Sequence, residues 1–452
     1  MTDDAVAEAA RAVVRRLRDA GHEAYWAGGC VRDMLLGRRP KDYDVATSAR
    51  PEQILSLFPG SASVGAAFGV VQVPLDGARV EVATFRDEGP YLDGRHPASV
   101  TFADARADVA RRDFTINGLL YDPLTDRVVD WVDGRRDLEA RRVRTIGDPA
   151  ARFQEDRLRM LRAVRLAAEL DFETEPQTLA AIRRFADRIR TVSAERIRDE
   201  LVRIFTGPHP GAGLRRLDES GLLIHILPEV AAMKGIPQPS EFHPEGDVFE
   251  HTARTLDALR SPGVVLAFGA LLHDVGKPRT YQVRDRIRFD RHDEVGARIA
   301  EEVLRRLRFS ARETEAIVEL VREHMRFKEI PRMREAKRRR LFARPDFDDH
   351  LELHRADCLA SHKDLTTYEW VQRARAALAP EEIRPPRLIT GDDLIAMGMR
   401  PGPAFARILE TVADAQLEGR VRSREEALEL AARVAAEIGG GEPSRRVEAK
   451  PH

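Results

Sequence analysis

At 452 residues the chain is too long for one hydrophobic core and fits about two to four domains. Its 74 Lys and Arg against 75 Asp and Glu leave a net charge of −1, so global charge excludes neither nucleic acid nor any other partner class, and basic character is local, at residues 135–144 and 332–344. Cys30 and Cys358 lack the spacing of a disulfide framework or a thiolate zinc site. The first residues lack a signal peptide's basic start and apolar core, and the longest apolar run, residues 263–272, is about half a membrane span. The expectation is a soluble, cytoplasmic protein with no membrane partner.

In chain order, Val6, Ala9, Ala10, Val13, Val14 and Leu17 recur at helical spacing and Gly21 stops the helix. Tyr25 and Trp26 end a strand, Gly28 and Gly29 make a turn that a ligand can approach closely, and residues 31–36 form a short helix ended by Gly37. Asp42 and Asp44 are two apart, and on a strand this period aims both carboxylates from one face. Paired acceptor-only groups repel unless a hard cation lies between them, which suits Mg²⁺ carrying a polyphosphate. The Gly28–Gly29 turn and Arg32 would donate to that polyphosphate. Either piece alone reads better as an ordinary surface turn; together and in this order they point to nucleotidyl transfer.

On Gly28-Gly29, Val31-Arg32-Asp33 and the Asp42, Asp44 pair, the chain resembles the nucleotidyltransferase superfamily of DNA polymerase β, in particular the bacterial tRNA nucleotidyltransferases and poly(A) polymerases. The resemblance implies an α+β fold: a polymerase β-like head with a small mixed sheet, then an all-α neck. Residues 51–58 read as a helix, and 64–74 and 79–85 as strands. Glu81 inside the second strand is either a third metal-site acid or a solvent-facing residue. Residues 86–98 form a polar loop, which in related enzymes is mobile and needed for adding the terminal adenosine.

Arg111 and Arg112 can grip triphosphate oxygens bidentately, and Asp113 can accept from a ribose hydroxyl. The same Arg-Arg-Asp-Phe motif binds ribose and phosphates in the family, and the nucleotide-binding reading extends to Asn117. Residues 130–146 match the hinge between head and neck, and the chain reads as helical from Phe153. There Asp156 and Arg159, three apart, would meet on one helix face. Cytosine and adenine both offer an amino group beside a bare ring nitrogen, which a carboxylate and a guanidinium can read; uracil and guanine would leave both protein groups facing like partners. An ordinary surface ion pair fits the spacing as well. The resemblance favours base reading, because Glu-Asp-x-x-Arg is the family's protein-template motif. Ser193 resembles the capping residue of the last shared motif, and the likeness spans about residues 22–205.

Downstream, His251, His273, Asp274, His292, His324 and Asp357 lie scattered along expected helices. Imidazoles with carboxylates suit a divalent transition metal that acidifies bound water. The pattern resembles the HD phosphohydrolase domain, with His251, His273, Asp274 and Asp357 as a one-metal set, His292 and His324 extending it to two, and Lys277 facing the scissile phosphate. A retained fold that only positions RNA is the alternative. The expected divisions are a head at 1–146, a neck at 147–240, an HD domain at 241–370, C-terminal helices at 371–438 and a disordered tail at 439–452. The combined expectation is a template-independent enzyme that builds the 3′ CCA end of tRNA from CTP and ATP, with Asp42 and Asp44 holding Mg²⁺. Its rivals are a poly(A) polymerase, an A-only-adding enzyme, or an inactive RNA-binding head serving the hydrolase.

Overall fold

The computed structural model describes residues 3–64, 69–75, 77–89, 100–239, 246–383 and 385–439. The leading helix α1 (Asp3–Asp19) buries Ala9, Ala10, Val13, Val14 and Leu17, the stripe its spacing predicts. The head strands are β1 (Ala24–Ala27), β2 (Val45–Thr47), β3 (Ala62–Ser63), β4 (Val70–Leu75), β5 (Ala78–Thr84), β6 (Arg86–Glu88), β7 (Val100–Phe102), β8 (Leu120–Asp122) and β9 (Arg127–Val129). Among the described residues they build a seven-stranded mixed sheet in the order β3-β4-β5-β2-β1-β8-β9, with β2 parallel to β5 and the remaining neighbours antiparallel. In β5, Val80 and Val82 are buried and Glu81 is exposed, the alternation of a sheet with one wet face.

β6 and β7 pair as a separate ribbon, so the expected loop begins three residues later than the sequence suggests. Polar residues still ladder when an antiparallel partner satisfies their backbone. Residues 90–99 of that loop lie outside the described residues. The short helices α2 (Gly29–Leu35), α3 (Pro51–Leu57), α4 (Ala105–Ala110) and α5 (Gly134–Glu139) complete the head.

The neck opens with β10 (Arg142–Val143), α6 (Pro149–Glu155), α7 (Leu158–Leu170) and β11 (Glu173–Thr174), which pairs parallel with β10. It continues through α8 (Pro176–Phe185), α9 (Ala194–Phe205), α10 (Pro210–Glu219), α11 (Leu223–Ile226) and α12 (Pro228–Ala231). Ser193 is the residue before α9, but its side chain makes no capping bond; its extended backbone alone starts the helix.

The next region holds α13 (Val248–Ala258), α14 (Val264–Leu272), α15 (Lys277–Thr280), the hairpin of β12 (Tyr281–Val283) and β13 (Ile287–Phe289), α16 (His292–Arg306) and α17 (Ala311–Glu323). It ends with α18 (Glu335–Phe342), α19 (Phe347–Ala360) and α20 (Thr366–Ala376). One hydrophobic core runs without a break from Ala9 to Leu353, so head, neck and the helices bearing the histidines are welded together by apolar contact. The boundary expected at 371 falls inside α20, whose Tyr368 and Val371 pack on Phe327, Phe342 and Phe347 in a second core. The boundary at 241 lies outside the described residues. A third core, Ile389 to Val434, belongs to α22 (Gly391–Ala396), α23 (Pro403–Leu417) and α24 (Arg424–Gly439), while Ile383 of α21 (Pro380–Ile383) packs on the second core. In the basic run, Arg340 pairs with Glu410 and Asp414 at 2.8 Å each and Arg338 lies over Trp370, so these cations hold helices together. No helix among the described residues is long and apolar enough to cross a membrane.

Candidate active sites

Gly28 has φ +76°, a left-handed turn that swings the chain away from β1 and ends its ladder with β2 at the Trp26–Val45 pair. Asp44 therefore lies at the lip of the sheet rather than within a strand, tied by its carbonyl, which accepts from Ala27 N–H at 2.9 Å. Asp42 lies two residues further out. This corrects the expectation of a strand, and the geometry still serves: both acids line one cleft of about 1080 Å³, shared with Gly29, Arg165, Arg203 and Asp257. The parallel register Val45–Val82, stepped back one residue, sets Asp44 beside Glu81 on the same face. Although Asp44 is open to solvent at the cleft, partial burial, then Glu81, then Asp42 push its carboxyl up to about 6, with Arg112 opposing. Glu81, undecided from sequence, thus joins the acid cluster.

A Cβ on Gly28 would sit 3.2 Å from Arg112 Nη1, so glycine lets that guanidinium approach the turn. Arg111 and Arg112 converge on the buried carboxylate of Asp108 at 2.5 and 2.9 Å. Burial would raise Asp108, but the two arginines hold it below its usual value. Asp108 was missed in the sequence, though its spacing of three and four residues from them on α4 is the signal that could have found it. Arg32 donates to Asn117 Oδ1 at 2.9 Å, Asn117 Nδ2 donates to Asp113 Oδ1 at 3.2 Å, and Arg162 of α7 lies 2.8 Å from Asp113 Oδ2. These residues form one chain of contacts from head to neck. Burial opposes the charge on Asp113, yet Arg162, Asn117 and Arg159 keep its carboxyl low.

Asp156 and Arg159 meet through the backbone, where Arg159 N–H donates to the Asp156 carbonyl at 3.0 Å, and their side chains take separate charged partners. Asp156 is extended, with φ −135°, and breaks the helical stretch between α6 and α7 because its Oδ1 accepts from Leu158 N–H at 3.1 Å. Its Oδ2 pairs with Arg196 of α9 at 2.8 Å. Arg159 instead takes Glu155 at 2.5 Å and reaches the Arg111 carbonyl at 3.4 Å, which brings it against the head motif. Arg162 carried no sequence signal, because its partner is distant along the chain; Arg196 lies in the motif that opens at Ser193, whose charged residues the family resemblance reads as bracing the neck.

In the second cluster, α13, α14, α16, α17 and α19 converge so that six side chains form two triads: His251, His273 and Asp357, and Asp274, His292 and His324. Asp274 faces both, with Oδ2 at 3.2 Å from His273 Nε2 and Oδ1 at 3.5 Å from His292 Nε2. The expected one-metal set of His251, His273, Asp274 and Asp357 thus comes together, and the second oxygen of Asp274 turns to His292 and His324, the two residues expected to extend it. The Nδ1 atoms of His273, His292 and His324 lie 2.7, 2.8 and 2.7 Å from the backbone carbonyls of Ala270, Phe289 and Val321, which leaves each Nε2 as the lone-pair atom facing inward. Burial, then His292 and His273, push His324 down to about 3, so it is a neutral donor. Such a donor set fits two divalent cations. Lys277 Nζ donates at 2.6 Å to both Asp274 Oδ2 and Gln238 Oε1. The cluster opens into a cavity of about 1140 Å³ whose wall includes Arg286, Arg288 and Lys328.

Residues 24–144 match the poly A polymerase head domain, residues 171–234 the probable RNA and SrmB-binding site of polymerase A, and residues 248–361 the HD domain. Three successive stretches of the chain are thus similar to a poly A polymerase head, an RNA-binding region and an HD domain. The chain is 44% identical over 216 residues to the CCA-adding enzyme of Levilactobacillus brevis, covering 48% of this chain and 54% of that protein. With the CCA-adding enzyme of Bacillus cytotoxicus it shares 40% over 218 residues, 48% of this chain and 55% of that one. The chain thus spans about half the length of the curated relatives it matches. The crystal structure of the Bacillus stearothermophilus CCA-adding enzyme in complex with CTP is 26% identical, superposes with a TM-score of 0.73 and covers 96% of this chain and 98% of its own. The Thermotoga maritima CCA-adding enzyme complexed with tRNA-CCA, 20% identical with a TM-score of 0.58 over 95% of this chain and 94% of its own, shares the fold.

Proposed function

We propose that the poly A polymerase head builds or repairs the 3′ CCA end of tRNA from CTP and ATP without a nucleic-acid template. The observation that carries this reading is the meeting of Asp42, Asp44 and Glu81 at the lip of the Gly28 turn, with Arg112 beside the turn. Asp44, raised by partial burial and then by the neighbouring Glu81 and Asp42, suits with them a hard divalent cation such as Mg²⁺, which when bound would neutralise the acids and the α-phosphate under attack. The chain's own part is to hold the triphosphate through the turn's N–H groups, Arg32, Arg111 and Arg112, and to read the base edge through Asp156 and Arg159. The Asp113–Asn117 contact keeps the ribose end of that pocket rigid. The names of the relatives favour CCA over poly(A) or A-only addition. Asp42→Ala is expected to abolish nucleotide transfer with little change in folding, and transfer within tenfold of the parent would remove the site.

The two triads support a second activity, metal-dependent hydrolysis of a phosphate ester in the HD domain. Bound metals would there acidify water and polarise the ester; the residues' part is to hold that pair and, through Lys277, to place positive charge beside it. His273→Ala with Asp274→Ala is expected to end phosphodiester hydrolysis and to spare transfer. A matching loss of transfer would mean the two sites are not separate.

A further inference from the structure

Gln238 lies in the segment joining the neck to the HD domain, outside residues 248–361 that match the HD family. Its side chain is 6% exposed and lines the HD cavity with Asp274, Lys277 and His292. A lysine ammonium carries three donors and no acceptor, so the 2.6 Å contact with Lys277 Nζ fixes Gln238 Oε1 as the acceptor and sets the orientation of the amide. Nε2 is then the other end, and it is a buried donor with no hydrogen-bond partner among the described residues. A buried unpaired donor is destabilising, and a cavity wall is where a ligand can complete it.

The complement of this donor is a hydrogen-bond acceptor. Lys277, Arg286, Arg288 and Lys328 share the cavity, and an amide N–H₂ with four cations around one space matches phosphate oxygens. Resting on the reading of the HD domain as a metal-dependent phosphohydrolase, we infer that Gln238 is a substrate-binding residue of that site, donating from Nε2 to a non-bridging oxygen of the phosphate ester. The neck linker thereby completes a pocket that the HD helices alone leave short of one donor. The same contact keeps Lys277 between Gln238 and Asp274, so the amide acts on the ligand directly and on the lysine through Oε1.

The test uses the full chain loaded with Mn²⁺ and inorganic phosphate as the probe, comparing Gln238→Leu and Gln238→Glu with the parent by calorimetry and by metal analysis. Gln238→Glu keeps an acceptor for Lys277 and removes the Nε2 donor. Both variants are expected to weaken phosphate binding by about tenfold or more while retaining the parent's metal content and its incorporation of CTP into tRNA. Phosphate binding equal to the parent's in both variants would overturn the inference. So would a Gln238→Leu protein that loses metal beside a Gln238→Glu protein that keeps both metal and phosphate, since Gln238 would then serve Lys277 alone. A parent that holds metal without phosphate refutes the role of Gln238 and leaves the metal centre standing, whereas a parent that holds no divalent metal refutes the hydrolase reading itself.

Discussion

Asp44→Asn should stabilise the fold while ending transfer. The Asp44 carboxyl is raised from an unfolded value of 3.8 to about 6 by partial burial, Glu81 and Asp42. A carboxyl whose folded pKa exceeds its unfolded one binds more protons when folded, so stability falls as pH rises between the two values and the penalty is complete above about pH 6. Two units correspond to about 3 kcal/mol, and exposure of the residue at the cleft screens this to roughly 1–2 kcal/mol. Asparagine keeps the shape and removes the charge. In metal-free buffer at pH 7.5 the variant should melt roughly 1–3 °C above the parent, since the unit sharing the core spans more than 300 residues, Ala9 to Leu353, and the difference should vanish below about pH 4. Added Mg²⁺ should raise the melting temperature of the parent and leave the variant nearly unmoved. A variant that melts with or below the parent at pH 7.5, or a gain that persists at pH 4, would refute the idea that acid repulsion is stored at this lip.

Three further outcomes follow from the contacts. Truncating His324 to Ala leaves Asp274 and His292 one ligand short, so elemental analysis should find the metal content of the chain falling from two to one, and two retained equivalents would contradict the shared-carboxylate arrangement. Arg196→Met frees the Asp156 carboxylate, which should raise KM for CTP and ATP roughly tenfold, about 1.4 kcal/mol, and relax rejection of UTP with kcat largely kept; Arg196→Lys should recover part of this, and a fall in kcat alone would count against base reading. Gly211→Ala would drive a methyl into the Ala253 carbonyl and the Asp257 carboxylate where α10 meets α13, at a cost of about 1–3 kcal/mol measurable by urea denaturation, and an unchanged midpoint would show the helices free to part.

The parts legible in the sequence are those whose physics is local. The α1 stripe, the alternation of β5 and the turn at Gly28 arise from neighbours a few residues apart and formed as read, although α2 starts at Gly29, two residues before the expected helix, so Gly29 belongs to the helix and not to the turn. The Asp42, Asp44 pair was legible as an acid cluster but not as a strand, because the ladder's end depends on where β1 turns away. The partners of Asp156 and Arg159 were illegible for a related reason: a spacing of three allows a pair, yet Arg196 arrives from α9 and the Asp156 backbone leaves the helix. Likewise the six metal-type residues announced a centre, while their division into two triads sharing Asp274 needed five helices in place. Gln238 carried no signal at all, since a lone glutamine in a Gly/Pro-rich linker acquires meaning only from the lysine it meets.

The central claim is tested most directly by giving the protein tRNA transcripts that stop before the CCA, after the first C and after CC, supplying CTP and ATP separately and together, and sequencing the products. The account predicts two C additions from CTP, one A from ATP only after CC, and then arrest at CCA. Long A tails, or addition of A alone to the CC transcript with no use of CTP, would contradict it.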